Sequence, residues 1–261
     1  MSTLTVYADT SDGVIISADS SSYSAVLAGT GSGLMANTDR VKLEFDVGGM
    51  YQVGIGQMYV GGPGYMVVEG FLAFDTSALG SGVTVTDAKL SLYCTDDYSS
   101  QDFTVEAFAI DWGGSLTTAD WQTDSDLGSA TKVATLATSG ITTSAHNEFS
   151  DVALASNINK TGYTYIVLAS DRTRTGTAPD TGGTPEFVHF SSADESGTGQ
   201  DPKLTVTYEI AGQPLAKRFG GVPFMGAHGA GFQSPVRRWI EKGGIAVPQT
   251  PHLWRPAHGS V

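Results

Sequence analysis

Apolar and polar residues alternate with a period of two in short segments through the first 210 residues, each bounded by Gly, Asp, Ser or Asn. That is the spacing of strands with one buried and one wet face. The segments 3–8, 14–18, 41–47, 50–54, 66–74, 83–93, 103–110, 163–169, 187–190 and 203–210 are each predicted to be a strand. In the last of them Leu204, Val206 and Tyr208 share one face, while Lys203, Thr205 and Thr207 share the other. So many strands are too many for one open sheet, and the predicted fold is an all-β, two-sheet antiparallel β-sandwich. Helical periodicity is nearly absent, with single turns predicted over 117–121 and 152–159. Long loops are predicted at 29–37, 125–129, 172–185 and 193–202, where Asp and Thr serve turns through bonds to the backbone.

The alternation stops after Ile210. Six of the ten prolines (Pro214, Pro223, Pro235, Pro248, Pro251 and Pro256) and nine glycines follow. Proline removes the donor a sheet needs and interrupts helices, so 211–261 reads as an extended, mostly irregular C-terminal arm on a 1–210 domain. Charge divides at the same point. Residues 1–210 hold 8 Lys/Arg and 26 Asp/Glu, a balance of −18, whereas 211–261 hold 6 Lys/Arg and only Glu241, a balance of +5. The arm spaces Phe219, Phe224, Phe232, Trp239 and Trp254 among Lys217, Arg218, Arg237 and Arg238, a pattern of apolar anchors with cations that bury into a partner's surface. Nucleic acid is not the expected partner, because the acidic domain opposes a polyanion within the screening length. An acidic protein surface fits better.

Residues 71–79 (Phe-Leu-Ala-Phe-Asp-Thr-Ser-Ala-Leu) and 83–93 (Val-Thr-Val-Thr-Asp-Ala-Lys-Leu-Ser-Leu-Tyr) resemble the hallmark of DNRLRE-type domains, jelly-roll sandwiches related to carbohydrate-binding modules. Asp111, Trp112, Leu116 and Trp121 look like that family's tryptophan-bearing loop, and 190–208 looks like its closing turn and strand. The resemblance spans roughly residues 10–210. The segment 40–64 is longer than the family's early hairpins, and the closing turn lacks the usual Arg-Glu pair. The resemblance implies a jelly roll and, as an alternative function, glycan recognition. In physical terms the hallmark is a folding motif: Phe71 to Phe74 fill a core, Asp75 and Ser77 cap the next turn, and Gly82 lets the chain reverse. Residues 217–224 and 235–239 resemble C-terminal segments of tailed-bacteriophage structural proteins.

Catalytic chemistry finds little footing. Of the histidines His146, His189, His228, His252 and His258, three lie in the arm and no pair has metal-ligand spacing. His189 alternates with Val188 and Phe190 and reads as an exposed strand position, and His146 sits in a polar turn. No nucleophile elbow or phosphate loop is present, and no enzyme is expected. Asp96, Asp97 and Asp194 are the candidate calcium ligands, although solvated loop acids are the commoner state. Trp112 and Trp121 are the candidate sugar platform, although burial at the sandwich rim is the favoured reading of both. Cys94, the single cysteine, lies in an apolar run without a neighbouring cation and reads as a buried, inert thiol.

The N-terminus lacks the basic and apolar segments of a secretory signal, and no run approaches the roughly 18 apolar residues of a membrane span. Synthesis in a host cytoplasm without export by that route is expected, with the virion as final location and no membrane contact. Together these features point to a virion structural protein, foremost a capsid decoration or cement protein present in multiple copies. Its arm residues Lys217, Arg218, Phe219, Phe224, Arg237, Arg238, Trp239 and Trp254 would engage a major capsid or other structural protein. A glycan-binding module of a fibre or spike is the alternative.

Overall fold

The computed structural model describes residues 1–19, 22–30, 33–37, 52–59, 64–194 and 196–210, together with the short strands Glu241–Lys242 and Ile245–Ala246. The chain forms two compact units, Met1–Gln213 and Pro214–Val261. In the second, Glu241–Lys242 pairs antiparallel with Ile245–Ala246.

Among the described residues the first unit holds thirteen strands. In chain order they are β1 (Ser2–Tyr7), β2 (Gly13–Asp19), β3 (Met35–Asn37), β4 (Gln52–Tyr59), β5 (Tyr65–Asp75), β6 (Val83–Ser99), β7 (Thr104–Ala109), β8 (Thr131–Ala137), β9 (Ala145–Glu148), β10 (Ser150–Asp151), β11 (Tyr163–Ser170), β12 (Glu186–Ser191) and β13 (Lys203–Ile210). Three short helices, α1 (Tyr23–Leu27), α2 (Asp124–Ser129) and α3 (Asp171–Arg174), lie in the connections. Every pairing is antiparallel, in the order β1-β13-β6-β12-β4-β5-β11-β7-β8-β10, with β2 beside β5, β3 beside β2 and β9 beside β6. Spatial neighbours are mostly distant in sequence, as a jelly roll requires.

The sheet makes two leaves by forking at β5. One edge of β5 pairs with β2 over Tyr65 to Phe71. The other edge pairs first with β4, up to Val68, and then with β11 from Gly70 onward. Beyond the fork β4 leads into the β12-β6-β13-β1 leaf and β11 into the β7-β8-β10 leaf. Gly70 sits where they part: a Cβ there would lie 2.5 Å from Val53 Cγ1, so only glycine admits the close approach. One core cluster draws Val53, Leu90, Phe190 and Val206 from the first leaf and Leu72 and Ile166 from the second, as two inner faces of a sandwich do. Burying each such side chain contributes about 1.5–3 kcal/mol.

Residues of β5 from Met66 to Phe74 are all buried, on both faces. The outward set Val67, Phe71 and Ala73 joins Ile15 of β2 and Val167 of β11 under Tyr23, Val26 and Leu27 of α1 and under Trp112 and Trp121. A strand covered on both sides has no wet face, so the alternation expected over 66–74 separates nothing there.

Most predicted strands form within one or two residues of their expected bounds, but β4 runs five residues past the expected end at Gly54 and β6 continues six residues past Tyr93. The segment 41–47 lies outside the described residues. Where loops were expected at 29–37 and 125–129, β3 and α2 form, and α3 opens the loop expected at 172–185. The sequence reading also misses α1, β8, β9 and β10. α2 owes its existence to a capping box in which Thr123 and Asp126 satisfy each other's backbone donors. The expected cap by Asp75 is present: its Oδ1 accepts from Ser77 N at 3.0 Å. The left-handed residue of that turn is Gly80 (φ 70°), not Gly82, because the short 3-10 turn Ser77–Leu79 ends one step earlier.

Candidate functional site

Charged side chains on the sandwich gather into three buried groups. In the first, Glu186 of β12, fully buried, is held by Arg172 of α3, whose Nε lies 2.8 Å from Oε2. Gln57 of β4 donates to the same oxygen at 2.7 Å and to Thr177 O at 2.9 Å, and accepts from the Tyr23 hydroxyl. The Gln101 carboxamide, oriented to satisfy both its ends, donates to Glu186 Oε1 at 3.2 Å and accepts from Arg172 Nη1 at 2.8 Å. Burial raises the pKa of Glu186, against the lowering effect of Gln57 and Arg172, and burial together with the Glu186 charge raises that of Tyr23. Gly56 makes the approach possible, since at its φ of +141° a Cβ would meet Glu186 O at 1.9 Å. The group ties β4, β12, α1 and the chain after α3 together.

In the second group Glu106 of β7, almost fully buried, receives the Arg174 guanidinium on both oxygens and Lys132 Nζ at 2.8 Å. Two partly exposed cations on one buried carboxylate seal the β7–β8–α3 corner.

The third set consists of two carboxyl groups with no cation paired to them among the described residues. Asp12, in the turn before β2, is fully buried; its Oδ2 accepts from Ala193 N at 2.8 Å, while Oδ1 has no hydrogen-bond partner among the described residues. Desolvation pushes its pKa up to about 8, and the charges of Asp194, Asp201 and Asp9 add to the effect. Glu69, at the fork of the sheet, is also fully buried, with Oε2 accepting from Gln122 N at 3.1 Å. Desolvation raises its pKa well above the usual carboxylate range. Burial disfavours the charged form of both, and each ties a loop to the body by accepting a backbone N–H from it.

The residues singled out from sequence do not converge. Asp97 Oδ1 caps its own turn, accepting from Ser99 N at 2.9 Å, and Asp96 lies in β6 opposite His189 of β12. Asp194 follows β12, beside Asp12. Among the described residues no three His, Cys, Asp or Glu side chains are placed to hold a metal ion together. Trp112 and Trp121 are 5% and 8% exposed. Trp121 Nε1 donates to Leu27 O at 3.0 Å, and Trp112 packs edge-on against Phe71 and Tyr165. Their indole faces are spent on α1 and β5, which is the rim burial weighed against a sugar platform.

His189 corrects the sequence reading: it is 4% exposed, packed against Tyr98 and Phe187. β12 is a central strand between β4 and β6, and all six of its residues are buried, so alternation there does not separate a wet face. His146 Nε2 lies 3.1 Å from Gly199 O, with its ring edge-on to Tyr93. Cys94 is fully buried, and desolvation pushes its thiol up to about 12, as expected of an inert core cysteine. The arm residues Lys217, Arg218, Phe219, Phe224, Arg237, Arg238, Trp239 and Trp254 lie outside the described residues.

Among the described residues the exposed aromatics are tyrosines: Tyr7, Tyr98 and Tyr163. Tyr163 stacks on Tyr165 two residues along β11 (centroids 5.8 Å apart, planes at 15°), and its hydroxyl lies 3.4 Å from Asp9 Oδ2. Its sequence signal is the Tyr-Thr-Tyr run that opens β11. Neither a protein-family model nor a curated protein matches this chain.

Proposed function

We propose that this protein is a structural component of a bacteriophage particle, a decoration or cement protein whose sandwich is displayed on the capsid surface and whose segment 211–261 anchors it. The observation that carries the reading is the change of charge at the end of β13, from −18 over residues 1–210 to +5 over 211–261. It coincides with the change from alternating strand sequence to Pro/Gly-rich sequence with spaced aromatics. An ordered acidic body followed by a basic, aromatic-bearing segment suits attachment to an acidic face of a major capsid or other virion protein. Phe219, Phe224, Trp239 and Trp254 supply apolar anchors there, and Arg218, Arg237 and Arg238 supply charge-assisted bonds. Many copies per particle follow from the repetition of capsid subunits.

A second reading, recognition of host glycans from a fibre or spike, draws on the exposed Tyr163 beside Asp9, since an aromatic face next to a carboxylate suits a sugar ring. Incorporation into particles separates the two. Replacing Arg237, Arg238 and Trp239 together by Ala abolishes recovery of the protein with purified particles under the first reading, while the second, acting through the body, predicts unchanged glycan-array binding. Full recovery of that variant with particles overturns the anchoring role.

A further inference from the structure

Strand β1 stands at one end of the strand order, and among the described residues it pairs with β13 alone. The pairing is regular for six residues, Ser2 opposite Tyr208 through to Tyr7 opposite Lys203, without a bulge. The chain turns away only at Ala8, which bridges Phe74 of β5. The outer backbone edge of Ser2 to Val6 therefore presents donors and acceptors with no strand beside them among the described residues.

Folded proteins shield such edges with lysine, proline, bulges or very short strands. The other end of this sheet follows that rule: β10 is two residues long and carries Asp151. β1 follows none of it. Ser2-Thr3-Leu4-Thr5-Val6-Tyr7 contains no charge, glycine or proline, and three of its six residues are β-branched. Ser2 to Tyr7 therefore puts no charge of its own along this edge, on a chain of net charge −13.

We propose that this edge is an interface with a second copy of the chain, the two β1 strands pairing antiparallel about a two-fold axis at Leu4. Side-chain parity selects the register. Leu4 and Val6 turn toward the core while Thr3, Thr5 and Tyr7 turn to solvent. A one-residue slip would set core-facing positions against solvent-facing ones, so only residues of like parity stand opposite one another. Centring on Leu4 uses the straight segment Ser2 to Val6 and keeps clear of the turn at Ala8. It places Thr3 of each copy opposite Thr5 of the other, Ser2 opposite Val6, and Leu4 opposite Leu4. The partner is identical, so both edges gain the backbone bonds at once, and the result is one sheet running through two sandwiches. This inference does not depend on the particle reading.

The register yields a charge-swap test on the full chain by sedimentation velocity, with circular dichroism as the control for folding. The wild-type protein is expected to dimerise more strongly as salt rises, because screening relieves repulsion between two acidic bodies. T3K/T5K sets lysine against lysine twice and weakens the dimer by roughly tenfold or more. T3K/T5E sets lysine against glutamate twice and retains it. A monomeric wild type overturns the proposal, as does a dimer indifferent to T3K/T5K or a folded T3K/T5E that fails to pair. A dimer that weakens with salt and ignores both variants belongs to the basic segment 211–261 instead. Loss of particle incorporation with the dimer intact would leave this inference standing and concern the attachment reading alone.

Discussion

Asp12 holds a carboxyl group where water does not reach it, with one oxygen on Ala193 N and acids around it. Its pKa in the folded chain is about 8, against 3.8 for the ordinary side chain. An acid whose folded pKa is raised supports folding in full only below the unfolded value, and that support is lost as pH climbs through the folded one. Between about pH 4 and about pH 8 the wild type is therefore expected to lose on the order of 1 kcal/mol of stability per pH unit relative to Asp12→Asn. Urea denaturation of both proteins across that range measures the difference. Asparagine keeps the acceptor for Ala193 without a proton to lose, so parallel pH profiles would show that Asp12 is ionised in the fold. His189 and Val188 are both buried because β12 is covered on both faces, a condition no local pattern encodes.

Helix α1 has only five residues, too few to persist alone, and depends on what it touches. Ser22 caps its N-terminus and Trp121 donates to Leu27 O at its C-terminal end, while Tyr23, Val26 and Leu27 cover β5. Trp121→Phe keeps most of the ring and removes the donor, leaving the buried carbonyl unmet; the expected cost is about 1–2 kcal/mol in urea melts. Trp121→Ala, which also opens a cavity, costs about 3–5 kcal/mol. Similar costs for the two would assign the whole effect to the hydrogen bond. The Glu186 group joins elements farther apart in sequence. Arg172→Ala leaves a fully buried carboxylate with only amide donors, and a loss of about 3–5 kcal/mol is expected. The additional substitution Glu186→Gln should recover part of it, which a double-mutant cycle reads directly. The short elements α1, α2, α3, β3 and β10 left little trace in periodicity because two to six residues hold less than two turns or a few alternations. Their existence rests on caps, on Trp121 and on buried ion pairs.

For the whole molecule, the division between Gln213 and Pro214 predicts that residues 1–210 fold without the rest. A chain ending at Ile210 is expected to give the strand-dominated circular dichroism of the full protein and a melting temperature within a few degrees of it. Collapse of the truncated chain would mean that 211–261 complete the core. In the particle reading the same truncated protein stays in the supernatant when particles are pelleted. Attachment of the full chain also weakens as salt rises, because basic side chains meet an acidic face. Dimerisation through β1 carries the opposite salt dependence, so the two contacts are separable in one titration.

The alternation of residues in 83–93 and 203–210, the caps at Asp75 and the break after Ile210 are properties of neighbours along the chain. They were legible without coordinates, as were the all-β class, the inert core placement of Cys94 and the reversal of charge. Tertiary structure alone decided the fork of the sheet at Glu69 and Gly70, the two-sided burial of β5 and β12, and the burial of Trp112 and Trp121. It also decided that, among the described residues, Asp96, Asp97 and Asp194 are not gathered into one group and β1 pairs with β13 alone. The physical reason is common to all of these: a side chain's exposure, its pKa and its use depend on which distant strands lie beside and above it. Sequence periodicity records that a face is apolar or polar, not what the rest of the chain lays upon it.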